Sequence, residues 1–366
     1  MIVSSFSCSY NIPDDTKVYI IGVGINYQQT GNYLRSAPSD DIMEFASLYK
    51  HILDSKNIPN ETYLMVNSAE IVLKADGTPN WDETKKQDDT DYNSPYAPTI
   101  TNFEALIDNL ANGSNGYPKV RENDLVMFLY SGHGATDAVP NGIKKGAFCF
   151  IKRNQSSDGS IKNSIDELTH IRFANSMSKF KSPVMLIIDS CYSGHIISAV
   201  NSGNVGEGTK DDTINDYGGV ANYVATFKDL VKVPNITALV AATASQKSWQ
   251  QPIGFNGEVH GLFMGNTMKD LGWTHTHDEV FTTIPEYSYD TDDKTNIHSS
   301  LSKPYNVYGT AMPYSYYKDQ IITSRDLYNN GKTYQIGIYD QNSDTKDVCE
   351  QRSLLSLGPC DLILAW

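Results

Sequence analysis

A chain of 366 residues suffices for one large α/β domain or about two average ones, and buries roughly three quarters of its unfolded surface without a disulfide or metal staple. Its 40% hydrophobic and 20% charged residues, a mean hydropathy of -0.39 and the lack of any apolar run of about 18 residues exclude a membrane-spanning helix, a coiled coil, collagen and wholesale disorder. With 29 basic against 43 acidic residues the net charge is -14; no Lys/Arg-rich stretch could replace counterions along a phosphate backbone, so nucleic acid is a poor partner and a cationic substrate an easier one.

Lys17 to Asn26 is an apolar, β-rich run ending in glycines, the pattern of a buried central strand in a parallel sheet. From Ser39 to Leu53, residues Ile42, Phe45, Ala46, Leu48, Tyr49 and Ile52 fall at helical spacing, with Ser39, Asp40 and Asp41 supplying a cap and first-turn acids against the helix dipole. Tyr63 to Val66 is a second short strand, 74–99 a long surface loop, and Ile100 to Leu110 a helix capped by Asn112-Gly113. Asp124 to Tyr130 is a third buried strand, stopping at Ser131-Gly132-His133-Gly134. Ala147 to Ile151 reads as a fourth strand, Ser164 to Phe180 as a helix, and Pro183 to Asp189 as a fifth strand, stopping at Ser190-Cys191-Tyr192-Ser193-Gly194. Residues 201–219, poor in apolar side chains and rich in Gly and Asp, read as a mobile linker. Asn235 to Ala242 is a sixth strand and Gly261 to Leu271 a helix; beyond about 313 only Tyr334 to Tyr339 and Leu362 to Leu364 suggest strands. Strands alternating with helices predict an α/β fold, its parallel sheet covered on both faces.

In such a sheet reactive groups gather at the carboxyl ends of the strands. Two strands end in reactive side chains, His133 and Cys191, and both emerge on the same edge, so an imidazole and a thiol face one cleft. That is the pairing covalent catalysis requires, and a thiolate is favoured at a helix N-terminus beside an imidazole; Ile196, Ile197, Ala199 and Val200 fit the start of such a helix. Gly132 and Gly134 permit a tight turn and close approach of a substrate backbone. The main-chain N–H groups of Gly134 and Cys191 are then natural donors to an oxyanion on the scissile carbonyl.

Tyr130-Ser-Gly-His-Gly134 together with Asp189-Ser-Cys-Tyr-Ser-Gly194 resembles the His and Cys motifs of caspase-like (clan CD) cysteine peptidases, closest to metacaspases and bacterial caspase homologues. The resemblance runs from Lys17 to about Gly309, with a weaker match at Gly261-Leu-Phe-Met. It implies a caspase-hemoglobinase fold, with a mostly parallel six-stranded sheet and helices on both faces, His133 as general base and Cys191 as nucleophile. The expected organisation is a catalytic domain over residues 1–312, divided into a large segment (residues 1–200), a linker (201–219) and a small segment (220–312), with a C-terminal extension over 313–366. The chain departs from the animal-caspase signature in carrying Asp189 two residues before the cysteine.

A carboxylate there pairs with a Lys or Arg side chain in the first specificity pocket and repels an acidic one. The resemblance adds Ser131 to this pocket, and an aspartate at the start of the first helix: spacing from Leu34 and Ala37 favours Asp40, whereas the apolar pattern after it fits Asp41. It also implies that no cofactor is required while leaving room for calcium activation, to which Asp211-Asp212 and Asp290, Asp292 and Asp293 offer hard oxygens; no residue match marks a calcium site. His195 is an alternative base but reads better as a first-turn side chain. His275-Thr-His277-Asp278 is half a metal site without a third ligand, so no metal site is assigned.

The five cysteines are scattered and lack a C-x-x-C pair, and the N-terminus shows no basic start and apolar stretch of a secretory signal, so a reducing, cytoplasmic setting is expected. Cys149, between Phe148 and Phe150, reads as buried and inert. The sequence thus predicts an endopeptidase cleaving after Lys or Arg in protein or peptide substrates, with neither membrane nor nucleic acid as partner, and self-cleavage after Lys210, the one basic residue of 201–219. Lys228 and Lys232 are competing self-cleavage points flanked by apolar residues. The rivals are a non-catalytic or latent caspase-fold scaffold and a legumain-like asparaginyl peptidase or transpeptidase.

Overall fold

Val18 to Ile25 is buried along its whole length, as an apolar run covered on both sheet faces must be. A computed structural model describes residues 15–28, 30, 34, 37–67, 74–75, 88, 90–138, 144–155, 157–159, 161–197, 236–242, 247–248, 250–252 and 259–271, and the strand segments 322–323, 333–340, 345–352, 354–356 and 363–365. In chain order the elements are β1 (Val18–Ile25), α1 (Ala37–Ser55), β2 (Asn60–Asn67), α2 (Ile100–Asn112), β3 (Leu125–Ser131), β4 (Gly134–Ala138), β5 (Lys144–Gln155), β6 (Ile161–Thr169), α3 (His170–Met177), β7 (Val184–Asp189), β8 (Ile236–Val240), β9 (Gln250–Pro252), β10 (Val259–Gly261), α4 (Leu262–Asp270), β11 (Ile322–Thr323), β12 (Thr333–Asp340), β13 (Thr345–Arg352), β14 (Leu354–Ser356) and β15 (Ile363–Ala365).

The central sheet has six strands in the order β14-β8-β7-β3-β1-β2. β8, β7, β3, β1 and β2 run parallel, and β14 pairs antiparallel with β8. Side chains alternate across the sheet. Tyr19, Ile21 and Val23 share one core with Phe103 and Leu106 of α2 and Phe173 and Met177 of α3. Val18 and Ile20 share the other with Ile42, Phe45 and Tyr49 of α1 and Phe263, Met264 and Met268 of α4. The helices therefore cover both faces, as expected of the α/β class. α1 lies so close to the sheet that a Cβ at Gly24 would come within 2.5 Å of the Pro38 carbonyl oxygen. α2 ends as the sequence predicts: Gly113, at φ 68, donates its N–H to the Asn109 carbonyl.

Two expectations are corrected. The fourth expected strand, around Ala147 to Ile151, belongs to a separate three-stranded antiparallel sheet, β4-β5-β6, and the sixth place in the central sheet is taken by β14. The helix expected from Ser164 starts only at His170, because 164–169 pair with β5 from Lys152 to Ala147. Thr169 Oγ1 accepts the Arg172 N–H and so caps a helix of two turns. The C-terminal stretch, which had no place in the pattern, contributes β11 to β15.

Candidate active site

Ser131 and Asp189 are register partners at the last rungs of β3 and β7, so the turns carrying His133 and Cys191 leave the sheet side by side. The Gly132 N–H donates to the Asp189 carbonyl (3.2 Å). A Cβ at Gly134 would fall 1.9 Å from the Cys191 carbonyl oxygen. The close approach of the chain's own Cys191 backbone thus requires a glycine after the histidine.

His133 is held by its main chain. Its N–H donates to the Tyr27 hydroxyl (2.7 Å), and its carbonyl accepts the Tyr130 hydroxyl (2.9 Å) and the Cys149 N–H (3.1 Å). The Tyr27 ring lies 4.6 Å from the imidazole, centroid to centroid, and its hydroxyl also donates to the Cys149 carbonyl (2.8 Å). Tyr27 reaches this position from a backbone at φ 60, a conformation that a bulky residue rarely adopts unless its surroundings enforce it.

Cys191 opens a turn that tightens into a helical start, with N–H groups of His195, Ile196 and Ile197 donating three residues back. Its Sγ–H points to the Ser248 carbonyl (3.7 Å). Burial above all, with the Asp189 charge, pushes the Cys191 thiol up, against the Ser248 contact and the Lys247 charge. The expected thiolate is therefore not the resting form, and a base must take the proton when the sulfur attacks.

Beside the cysteine lie two buried carboxylates. Asp41 is fully buried and accepts from the Ser131 hydroxyl (2.8 Å), the Gly261 N–H (3.0 Å) and His260 Nδ1 (2.8 Å). Asp189 accepts from the Ser248 hydroxyl and from the Met264 N–H (2.9 Å) at the start of α4. A Cβ at Gly261 would lie 2.2 Å from Asp189 Oδ2 and 2.9 Å from Asp41 Oδ2, so the two acids crowd one methyl-sized space. Burial, with the Asp41 charge, pushes the Asp189 carboxyl up to about 7 despite its hydrogen bonds.

Residues 20–200 match the family model described as metacaspase, peptidase C14 domain. This stretch is a metacaspase-type, caspase-like domain. A comparison with curated proteins found no match. The family is one of cysteine peptidases, hydrolases of peptide bonds.

The metacaspase-type domain brings Ser131, His133, Gly134, Asp189 and Cys191 to one end of the sheet. Of the two helix acids, Asp41 faces the carboxylate site, on the same buried stripe as Ala37, Phe45 and Tyr49, while Asp40 is half-exposed. His195 is buried beyond the cysteine turn against Gly146 and His170, and Cys149 is buried as expected. Ser248 and His260 were missed. The signal for Ser248 was a polar stretch directly after a buried strand; His260 had only its place before Gly261-Leu-Phe-Met. Lys210, Lys228, Lys232, Asp211, Asp212, His275, His277, Asp278 and Asp290 to Asp293 lie outside the described residues. Among the described residues no group of three or more His, Cys, Asp or Glu side chains is gathered to hold a metal ion, and no helix is long and apolar enough to cross a membrane.

Proposed function

We propose that the chain is an endopeptidase that cleaves after Lys or Arg, with Cys191 as nucleophile and His133 as general base. The observation that carries this reading is the buried carboxylate pair, Asp41 and Asp189, set against the turn of the partly buried Cys191 at the sheet end. His133 takes the Sγ proton as sulfur bonds to the scissile carbonyl carbon; the C–N bond then breaks and the proton passes to the leaving amine. Water, deprotonated by the same imidazole, attacks the thioester and releases the acid. The Gly134 and Cys191 N–H groups are proposed donors to the intermediate oxyanion. A lysyl or arginyl side chain meets Asp189 by displacing the Ser248 hydroxyl, and a partly desolvated charge pair of this kind discriminates by a few kcal/mol.

A latent resting state is the second reading, favoured by one residue: the carbonyl of Ser248 takes the Cys191 Sγ–H while its hydroxyl takes Asp189. Peptides that differ only in the residue before the cleaved bond test the proposal. Arg and Lys peptides are cleaved and Asp and Asn peptides are not; preference for Asp or Asn would overturn it. A lag before steady turnover identifies the latent form. Calcium activation is included in the same proposal, read by adding calcium and then a chelator.

A further inference from the structure

Two acids packed around one small space in a site closed to water cannot both carry charge without compensation. Asp41 and Asp189 are in that position across Gly261. Most of their hydrogen-bond donors are neutral: the Ser131 and Ser248 hydroxyls and the main-chain N–H groups of Gly261 and Met264. Among the described residues, His260 is the only basic side chain bonded to either carboxylate. It is buried, its Nδ1 lies 2.8 Å from Asp41 Oδ1, and its Nε2 lies 3.9 Å from Glu44 Oε2.

We propose that His260 is a positioning residue that sets the specificity of this pocket: its Nδ1–H pins the Asp41 carboxylate, and its positive charge offsets that of Asp41. Asp189 is then the charge left to meet a basic substrate side chain. The inference rests on the Lys/Arg reading for its consequence, but not for the state of His260 itself. The groups facing the imidazole are Asp40, Asp41 and Glu44 on α1 and, across Gly261, Asp189 at the end of β7. Burial opposes its protonation, yet the Asp41 hydrogen bond and charge, with Glu44 and Asp40, outweigh burial and push the imidazole above its usual value. Glu44 Oε2, 3.9 Å from the second nitrogen, adds negative charge without a hydrogen bond, so the bond that orients the ring is the one between Nδ1 and Asp41. When that proton is lost, Asp189 must ionise beside an uncompensated Asp41, which is harder; the pocket then attracts a cation less.

The first experiment is an NMR titration of the histidine Hε1/Cε1 signals in the full chain, with the His260 signal assigned by its disappearance in His260→Asn. The signal is expected to titrate at higher pH than an ordinary histidine and to return toward the ordinary value in Asp41→Asn. Titration at or below the ordinary value in the unsubstituted chain overturns the proposal, whether or not arginyl peptides are substrates. The second compares the pH dependence of kcat/KM for two peptides, arginyl and the neutral isostere citrullyl, in wild type and His260→Asn. Asparagine keeps a donor near the Nδ1 position but carries no charge. The acid limb for the arginyl peptide moves up in pH by the equivalent of at least about three-fold in proton concentration, chiefly through KM, while the citrullyl limb keeps its position. Equal movement of both limbs, or none, overturns the specificity role. Failure of wild type to cleave the arginyl peptide while the titration succeeds refutes the Lys/Arg reading and leaves the His260–Asp41 charge pair standing.

Discussion

The Tyr27 hydroxyl accepts the main-chain N–H of His133 at 2.7 Å while its ring packs on the imidazole, so a residue just past β1 holds one just past β3 by backbone and by side chain. The same hydroxyl donates to the Cys149 carbonyl and meets the Tyr130 hydroxyl at 3.2 Å. Tyr27→Phe keeps the ring contact but removes the acceptor of the His133 N–H, while the Cys149 carbonyl retains the Tyr130 hydroxyl (3.0 Å). We expect kcat to fall about ten-fold with KM nearly unchanged, since about 1–2 kcal/mol of orientation is lost and no substrate contact is touched. Steady-state kinetics on the best peptide of the panel check this, with Tyr27→Ala, which removes the ring as well, expected to fall further.

Cys191→Ala should abolish peptide hydrolysis and leave the melting temperature within a few degrees of wild type. The substitution removes the nucleophile but little buried volume, and the turn geometry around it is set by main-chain hydrogen bonds. His133→Ala should also lose several orders of magnitude in kcat. Residual hydrolysis by the alanine variant comparable to wild type would eliminate the thioester route.

Asp189→Asn should cost on the order of 2 kcal/mol in kcat/KM for an arginyl peptide. Stability carries a second, opposite signature. A carboxyl that keeps its proton to about 7 when folded but releases it near its ordinary 3.8 when unfolded binds more protons in the native state between those values. Stability from this group is therefore full below that window and falls as pH rises through it. The asparagine variant lacks the effect, so its melting temperature relative to wild type should be higher at pH 8 than at pH 5. Parallel melting curves across that range would show that Asp189 titrates normally.

The alternation of strands and helices, and the two strand-end motifs, were legible because parallel strands buried on both faces must be continuous apolar runs, as 18–25, 125–130 and 184–188 are. The β5–β6 hairpin was not. Ser164 to Thr169 mixes polar and apolar residues in a pattern a short helix also satisfies, and only the ladder to 147–152 settles it. Asp41 was readable from the apolar stripe of α1, but not from motif spacing. Ser248 and His260 were hidden because their partners, Asp189 and Asp41, lie far away in sequence; neither residue looks reactive by itself.

Self-processing is expected after Lys210, if the pocket prefers basic residues. Intact-mass and peptide spectra of purified wild type should show scission at that bond, and Cys191→Ala should show none. An intact chain in a fully active wild-type sample would refute it.

The ladder between β7 and β8 gives such a break an unusual physical signature. Val184 to Ile188 pair in register with Ile236 to Val240, the Ala241 N–H donates to the Ile188 carbonyl (2.9 Å), and Ser193 grips Ala242 through both its N–H and its carbonyl. Lys210 lies between these partners in sequence. The two halves of a severed chain thus stay stitched through the middle of the sheet, with β14 on the outer edge of the second. Under non-denaturing conditions the nicked and whole molecules would migrate as the same particle, and only a denaturant would reveal that one had become two polypeptides.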